Sequence, residues 1–319
     1  MPTLSHNTRR GFLAQSALAA VAASLCPRLA FSVDAGPHVK FPTDARERVA
    51  IASYPFRDFI LGAHDEAAAQ KMDLKDFAAH CGEKFNIRKI EPWNRHFGST
   101  EAKYLEEFRA AVDKARGAVV NIAVDGDHSP YAADAGERDQ AIAFSKKWID
   151  VAVAIGSPSV RTNIAEAKDS KPDLNRTTES LKRVAAYAAS KDIVVHLEND
   201  NPVTEDPFFI VQLIEKVNSP WLHSNPDFCN TLATKPEEYA YRGIAAMFQH
   251  AYGICHVKDM ETNEQGQVFR VDMTKTFGIL KHANYRGYCS MEFDTHGDPY
   301  PGTTALIAQT LHFLGSTAS

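Results

Sequence analysis

The chain of 319 residues has only five cysteines, and none of them falls in the close pairs of a zinc knuckle. Positive charge is not in excess. Thirty-five Lys and Arg against forty Asp and Glu give a formal net charge of -5, and no basic patch or polycationic tail stands out, so nucleic acid is not an expected partner. Long apolar runs are also missing. The Ala-rich stretch after Phe12 and Leu13 is too short to span a bilayer comfortably, so no stable membrane anchor is expected. No glycine-rich turn follows the strand pattern at Val49, which argues against a doubly wound dinucleotide-binding sheet. No low-complexity linker breaks the chain after residue 40. What remains is an ordinary globular composition, 44% hydrophobic and 24% charged, ample for one large core.

The amino terminus is a separate object. "NTRRGFLAQSALAAVAAS" sets Arg9 and Arg10 before Phe12 and Leu13, followed by a weakly apolar segment without an acidic residue. It resembles a twin-arginine export signal, which implies passage across the membrane in the folded state and a periplasmic or secreted location. Cleavage is expected between Ala30 and Ala35, which divides the chain into a signal over 1–35 and a catalytic domain over 36–319. Ala23, Ser24 and Leu25 before Cys26 make a poor lipoprotein box, so the mature protein is expected to be free of a lipid anchor. Its remaining thiols, Cys81, Cys229, Cys255 and Cys289, read as buried and free. Cys255 and Cys289 stand at odd offsets from His256 and Glu292 and should face the other side of their strands.

Strand patterns begin near Val49, Ile87, Ala118, Ser157, Ile193, Trp221, Gly253 and Tyr288. Helical patterns cover 66–81, 101–115, 137–154, 174–190, 206–217, 235–250, 272–284 and 302–314. Alternation at roughly 30 to 40 residues calls for parallel strands with right-handed crossovers, and eight such units close into a single (β/α)8 TIM barrel, an α/β fold. In a barrel the carboxyl ends of the strands form the active-site rim. Four strand-like runs end in groups able to bind a hard or borderline cation: "DIVVHLEND" in Glu198, "WLHSNPDFCN" in Asp227, "YGICHVKDM" in His256 and "YCSMEFDTH" in Glu292. They are 29, 29 and 36 residues apart, about one βα unit each, so strands five to eight bring them to one point. Three carboxylates packed together repel, and a divalent cation removes the repulsion. Two Glu, one Asp and one His suit Mn2+ best, with Mg2+, Co2+ or Zn2+ as alternatives.

Over residues 46–315 the chain resembles the xylose isomerase-like barrels, a family that includes sugar isomerases, ketose 3-epimerases, inosose dehydratases and endonuclease IV. The resemblance rests on "HLEND", "NPDFCN", "HVKD" and "MEFD". It implies that Glu198, Asp227, His256 and Glu292 bind one divalent metal. Endonuclease IV needs a further histidine three places after the strand-six Asp, and here that place is Asn230. Ketose 3-epimerases also tend to carry a His there, and an Arg shortly after the strand-seven His; this chain has Lys258 and Asp259.

The expected partner is a small sugar or glycoside, which has an apolar face and a rim of hydroxyls, and a homo-oligomer is compatible with the fold. Its expected contacts come from other strand ends: Glu91, Trp93, His96, Arg161, Asn163, Asn230 and His196, with Tyr54 and Asp125 nearby. His196, on the inward face it shares with Glu198, reads first as a satisfied core histidine or a support for the site, and second as a contact. The expected chemistry is proton transfer next to a carbonyl through an enediolate, with Glu198 and Glu292 as the acid/base pair and Lys258 beside the developing oxyanion. Isomerisation, epimerisation, and elimination from keto-sugars or 3-keto-glycosides diverge only after that intermediate. An exported carbohydrate-binding protein without catalysis is the alternative of another class.

The export reading has a direct test. Replacing Arg9 and Arg10 together by Lys should leave the precursor in the cytoplasm, folded and active, as followed by immunoblot of cell fractions. Undiminished secretion of the double variant would remove the twin-arginine assignment.

Overall fold

In the computed structural model, which describes residues 36–62, 71–263, 265–294 and 298–315, eight strand positions form a ring of parallel strands wrapped by helices. The export segment lies outside the described residues. The barrel strands are β1 (Val49–Ala52), β2 (Lys89–Glu91), β3 (Ala118–Val119) continued by β4 (Ala123–Val124), β5 (Ser159–Thr162), β6 (Val194–Glu198), β7 (Leu222–Asn225), β8 (Ile254–Val257) and β11 (Tyr288–Met291). The helices are α1 (Phe77–Phe85), α2 (Ala102–Lys114), α3 (Ala135–Ile155), α4 (Leu174–Ser190), α5 (Pro207–Val217), α6 (Glu237–Phe248), α7 (Met273–His282) and α8 (Pro299–Gly315). One parallel sheet runs β3-β2-β1-β11-β8 and a second runs β4-β5-β6-β7. Parallel bridges Trp93↔Ala123 and Asp227↔His256 join them into a closed ring. The family of folds expected from the alternation is therefore present: a TIM barrel.

Burial explains the composition of the strands. β1 (VAIA), β6 (VVHLE) and β8 (ICHV) are buried at every position, because one face meets the barrel interior and the other meets the helices. Helix starts are written in aspartate. Asp134, Asp173, Asp206 and Asp272 each accept a backbone N–H of the first turn of α3, α4, α5 and α7, a cap contributing about 1 kcal/mol. At the amino-terminal end of the barrel, Phe41 stands edge-on to Tyr252 and Tyr288 at 5.3 and 5.7 Å. The Tyr252 hydroxyl donates to Pro37 O (2.9 Å) and accepts from Val39 N–H (3.1 Å), so the segment before β1 is fastened across this end. Among the described residues no helix is long and apolar enough to cross a membrane.

Three elements differ from the sequence reading. The first helix begins at Phe77 instead of residue 66, because the Asp73 side chain accepts from Lys75 N–H and sets a 3-10 turn over Leu74–Asp76; residues 66–70 lie outside the described residues. The third strand is split. Its middle pairs first with β2 through Val120 N–H to Ile90 O and then with β5 through Ile122 N–H to Ser159 O, with Asn121 turned into the interior between them. A hairpin of β9 (Met260–Thr262) and β10 (Val268–Arg270) also follows β8, its turn built on Asn263, whose Oδ1 accepts from Gln265 and Gln267 N–H, and on Gly266 at φ 77°. Cys81, Cys229, Cys255 and Cys289 are all buried and free, and the Cys255 and Cys289 sulfurs lie 3.8 Å apart on paired strands.

Deep in the barrel, His196 has no exposure, and its Nε2 accepts from Gly253 N–H at 3.2 Å. A Cβ on Gly253 would meet the His196 ring at 2.7 Å. Gly253→Ala should therefore lower the thermal midpoint by the equivalent of about 1–3 kcal/mol, the usual cost of overpacking a core. A midpoint equal to that of the parent would show that the imidazole is not wedged there.

Candidate metal centre and its cleft

Glu198 is the last residue of β6, Asp227 follows β7 by two residues, His256 is the third residue of β8 and Glu292 follows β11 directly. One ligand atom from each lies within 4.8 Å of the others, and all four side chains are buried. Tight local bonding aims them. Asp227 Oδ1 accepts from the backbone N–H groups of Cys229 (2.8 Å) and Asn230 (2.7 Å), closing a turn, while its backbone is held from the other side by the amide of Asn199. Its Oδ2 has no hydrogen bond and faces the Lys258 ammonium at 3.6 Å. His256 Nδ1 lies 2.7 Å from Glu198 Oε1 and 3.2 Å from Glu292 Oε2. Its Nε2 faces both oxygens of Glu91, at 3.0 and 3.1 Å.

Two cations complete the floor. Arg161 Nε lies 2.9 Å from Glu198 Oε2, and its guanidinium also pairs with Asp125, whose other oxygen accepts from the Trp93 indole N–H at 2.6 Å. Lys258 Nζ donates to Asn230 Oδ1 at 2.7 Å and lies 3.4 Å from Glu292 Oε2. Burial opposes the charge on each of these groups. It pushes the Asp227 carboxyl up to about 6, with Glu198 and Glu292 adding to the rise. For Lys258 and His256 the surrounding carboxylates outweigh burial and raise both well above their ordinary values.

Charge counting tests the donor set. Glu91, Glu198, Asp227 and Glu292 bring four buried negative charges, against one each from Arg161 and Lys258. Asp125 also draws on Arg161, so with a neutral imidazole the excess is at least two negative charges, an imbalance that a divalent cation would offset. The unpartnered Asp227 Oδ2 and the preponderance of oxygen over nitrogen fit a hard or borderline ion such as Mg2+ or Mn2+.

A cleft of about 420 Å³ opens above these groups. Of the sequence-derived substrate contacts, Trp93, Arg161 and Asn230 line it, as do Tyr54, Asp125, Lys258, Glu198 and Glu292. The other four expected contacts are corrected. Glu91 has no exposure and meets His256 beneath the floor. His196 lies lower still, packed on Gly253. His96 is buried with Nδ1 2.8 Å from Ser53 Oγ and braces the Trp93 ring edge-on at 5.1 Å. Asn163 exchanges two hydrogen bonds with the Gly126 backbone and lines a small crevice under α3. Strand-end position named Glu91, His96 and Asn163 as rim residues, yet side chains at nominal ends sit at different heights; for His196 the core reading holds. Arg95, Asp200, Glu261 and Asp294 line the cleft without having been anticipated. Parity would have found Asp200, two residues beyond Glu198; Glu261 arrives on β9 and bridges to Asp294, which strand-helix alternation does not contain.

The profile of the Xylose isomerase-like TIM barrel family matches residues 68–316. No curated protein matches the chain. Among solved structures, the chain is similar to a xylose isomerase-like TIM barrel protein from Mycobacterium smegmatis in complex with magnesium, at 16% identity and TM-score 0.66 over 85% of this chain and 98% of that one. A D-allulose 3-epimerase from Methylomonas sp. is similar at 17% identity and TM-score 0.63, over 86% and 98% of the two chains. A 3-keto-D-glucoside 4-epimerase from E. coli is similar at 15% identity and TM-score 0.61, over 82% and 98%. At these identities the likeness establishes the shared fold.

Ligand binding restricted to the folded state stabilises by mass action, about 2.7 kcal/mol at a hundredfold excess over Kd. Mn2+ should therefore raise the melting temperature of the parent, and Asp227→Ala or His256→Ala should abolish that rise together with metal occupancy. Full occupancy in both variants, by elemental analysis, would refute the four-ligand centre.

Proposed function

Because the chain belongs to the xylose isomerase-like TIM barrel family, we propose that it is a divalent-metal-dependent sugar isomerase or epimerase that moves a proton next to a carbonyl. The observation that carries this reading is the pair of carboxylates, Glu198 and Glu292, that converge on the Nδ1 edge of one imidazole at the floor of a polar cleft with an aromatic wall. A divalent ion, Mn2+ foremost, would be held by Glu198, Asp227, His256 and Glu292 and would supply Lewis acidity toward adjacent carbonyl and hydroxyl oxygens.

The remaining work falls to side chains of this protein. One of the two glutamates takes the proton α to the carbonyl, and one returns a proton to the neighbouring carbon or the opposite face. Lys258, charged and only 4% exposed, is a donor aimed into the cleft, suited to an oxygen on which negative charge develops. Trp93 and Tyr54 stand edge-on with ring centroids 5.2 Å apart and offer apolar surface to the sugar ring, while Asn230 and Arg161 offer hydrogen-bond donors to hydroxyls. Each cation lining the cleft is already paired: Arg95 with Asp127, Arg161 with Asp125 and Glu198, Lys258 with its carboxylates. An uncharged sugar or glycoside therefore suits the cleft better than a phosphorylated one. The twin-arginine segment supports action on sugars in the periplasm or outside the cell.

Incubation with Mn2+ and a panel of keto-sugars and 3-keto-glycosides in D2O, read by proton NMR, tests the proposal. Deuterium should enter the recovered sugar at the carbon next to the carbonyl. Glu198→Gln and Glu292→Gln should each slow turnover by about 10²- to 10⁴-fold with a much smaller change in KM. An unsaturated product or a released aglycone would reassign the chemistry to elimination; binding without exchange or turnover for the whole panel would leave a carbohydrate-binding protein.

A further inference from the structure

Glu91 is the most deeply buried acid near the centre that the chemistry above does not use. It is the last residue of β2, it has no exposure, and it lies on the far side of His256 from the three ligand carboxylates. Burying a carboxylate without a charged partner is costly, and the group it meets is a ring that carries no obligatory charge. The surroundings are nonetheless built to keep it ionised and fixed. Asn121 Nδ2 donates to Glu91 Oε1 at 2.7 Å, and Asn121 is itself fixed by Ser159 Oγ, 2.6 Å from its Oδ1. Asn121 sits where the third barrel strand is interrupted, so the break in that strand places the amide under Glu91.

We propose that Glu91 is a positioning residue for the metal centre: it accepts the Nε2–H of His256 with both oxygens, and so presents the Nδ1 lone pair to the point shared by Glu198, Asp227 and Glu292. The inference rests on the metal reading proposed above. A neutral imidazole has one N–H and one lone pair, and an acceptor at one nitrogen decides which nitrogen is left to ligate. Nε2 faces the two Glu91 oxygens at 3.0 and 3.1 Å and the Asn225 side-chain amide at 3.2 Å, and the ionised carboxylate, the stronger hydrogen-bonding partner, makes that decision here. Glu91 also supplies part of the excess negative charge that a divalent ion would offset. Carboxylates acting through a ligating histidine typically account for 10- to 100-fold in metal affinity.

The test compares the full-length mature protein with Glu91→Gln, which keeps size and one acceptor oxygen but removes the charge. Mn2+ affinity is measured by competition with a chelator, and the melting temperature of the metal-free forms is measured separately. Glu91→Gln should bind Mn2+ 10- to 100-fold more weakly, and the metal-free variant should melt below the parent because the buried Glu91–His256 pair is gone. In the Mg2+-loaded parent, ring 15N shifts of His256 should report protonation at Nε2. A purely structural Glu91 would lower the metal-free melting temperature and leave Mn2+ affinity unchanged, and that result overturns the proposal. Should Glu91→Gln not fold, Asn121→Ala loosens the carboxylate without removing its charge; a severalfold loss of Mn2+ affinity supports the proposal and an unchanged affinity refutes it. If the parent itself takes up no Mn2+, the metal reading fails and this inference with it; if the parent binds and Glu91→Gln binds equally, only the inference fails.

Discussion

Four carboxylates buried around one imidazole are the constraint on which the rest of the site depends. Unpaired, each would cost several kcal/mol to hold away from water, so every feature near the floor of the cleft either neutralises them or fixes them in place. Arg161 and Lys258 are buried beside them at 5 and 4% exposure, positions that cationic side chains rarely occupy without such partners. Asn121, Asn199 and Asn230 bond the same acids or their backbones without adding charge. The remaining excess of negative charge makes this cluster one that could hold a divalent cation.

The same network joins recognition to chemistry. The Trp93 indole N–H bonds Asp125, Asp125 pairs with Arg161, and Arg161 pairs with Glu198, so an unbroken chain of hydrogen bonds and ion pairs runs from the aromatic wall to a proposed acid/base group. His96 and Ser53 brace the wall from behind: Ser53 Oγ accepts from Trp93 N–H at 2.8 Å and meets His96 at the same distance. His96, first read as a substrate contact, thus reaches the cleft only through Trp93. This division is common where a site must be held to within fractions of an ångström, since side chains touching the ligand need others to lock their rotamers.

Much of the architecture was legible because the barrel has a strong period. Parallel strands covered on both faces must be apolar throughout, and the crossover helices between them must be amphipathic, so all eight strand positions and most helix limits follow from pattern. The four clustered side chains were legible for a related reason: a charged or imidazole group closing a buried strand is an exception to that pattern, and the fold gathers such exceptions at one rim. The β9–β10 hairpin was not legible, because it is an insertion that serves the cleft and obeys no repeat. The start of α1 was missed because the capping aspartate, Asp73, lies inside the helical pattern that the apolar spacing suggested.

The sequence by itself determined the barrel, the order of its units and the identities of Glu198, Asp227, His256 and Glu292 as groups carried to a common end. Only the tertiary structure decided height. Closing a barrel requires the strands to tilt and their registers to shear, so residues that end neighbouring strands in the sequence do not end at one level in space. Ala52 pairs with Glu91 while Trp93 pairs with Ala123, and Ser290 pairs with His256 while Glu292 stands two residues further up. These offsets put Glu91 under the imidazole and Trp93 in the cleft, although only Pro92 separates them along the chain. Each offset is a property of a pair of strands, and no single strand encodes it.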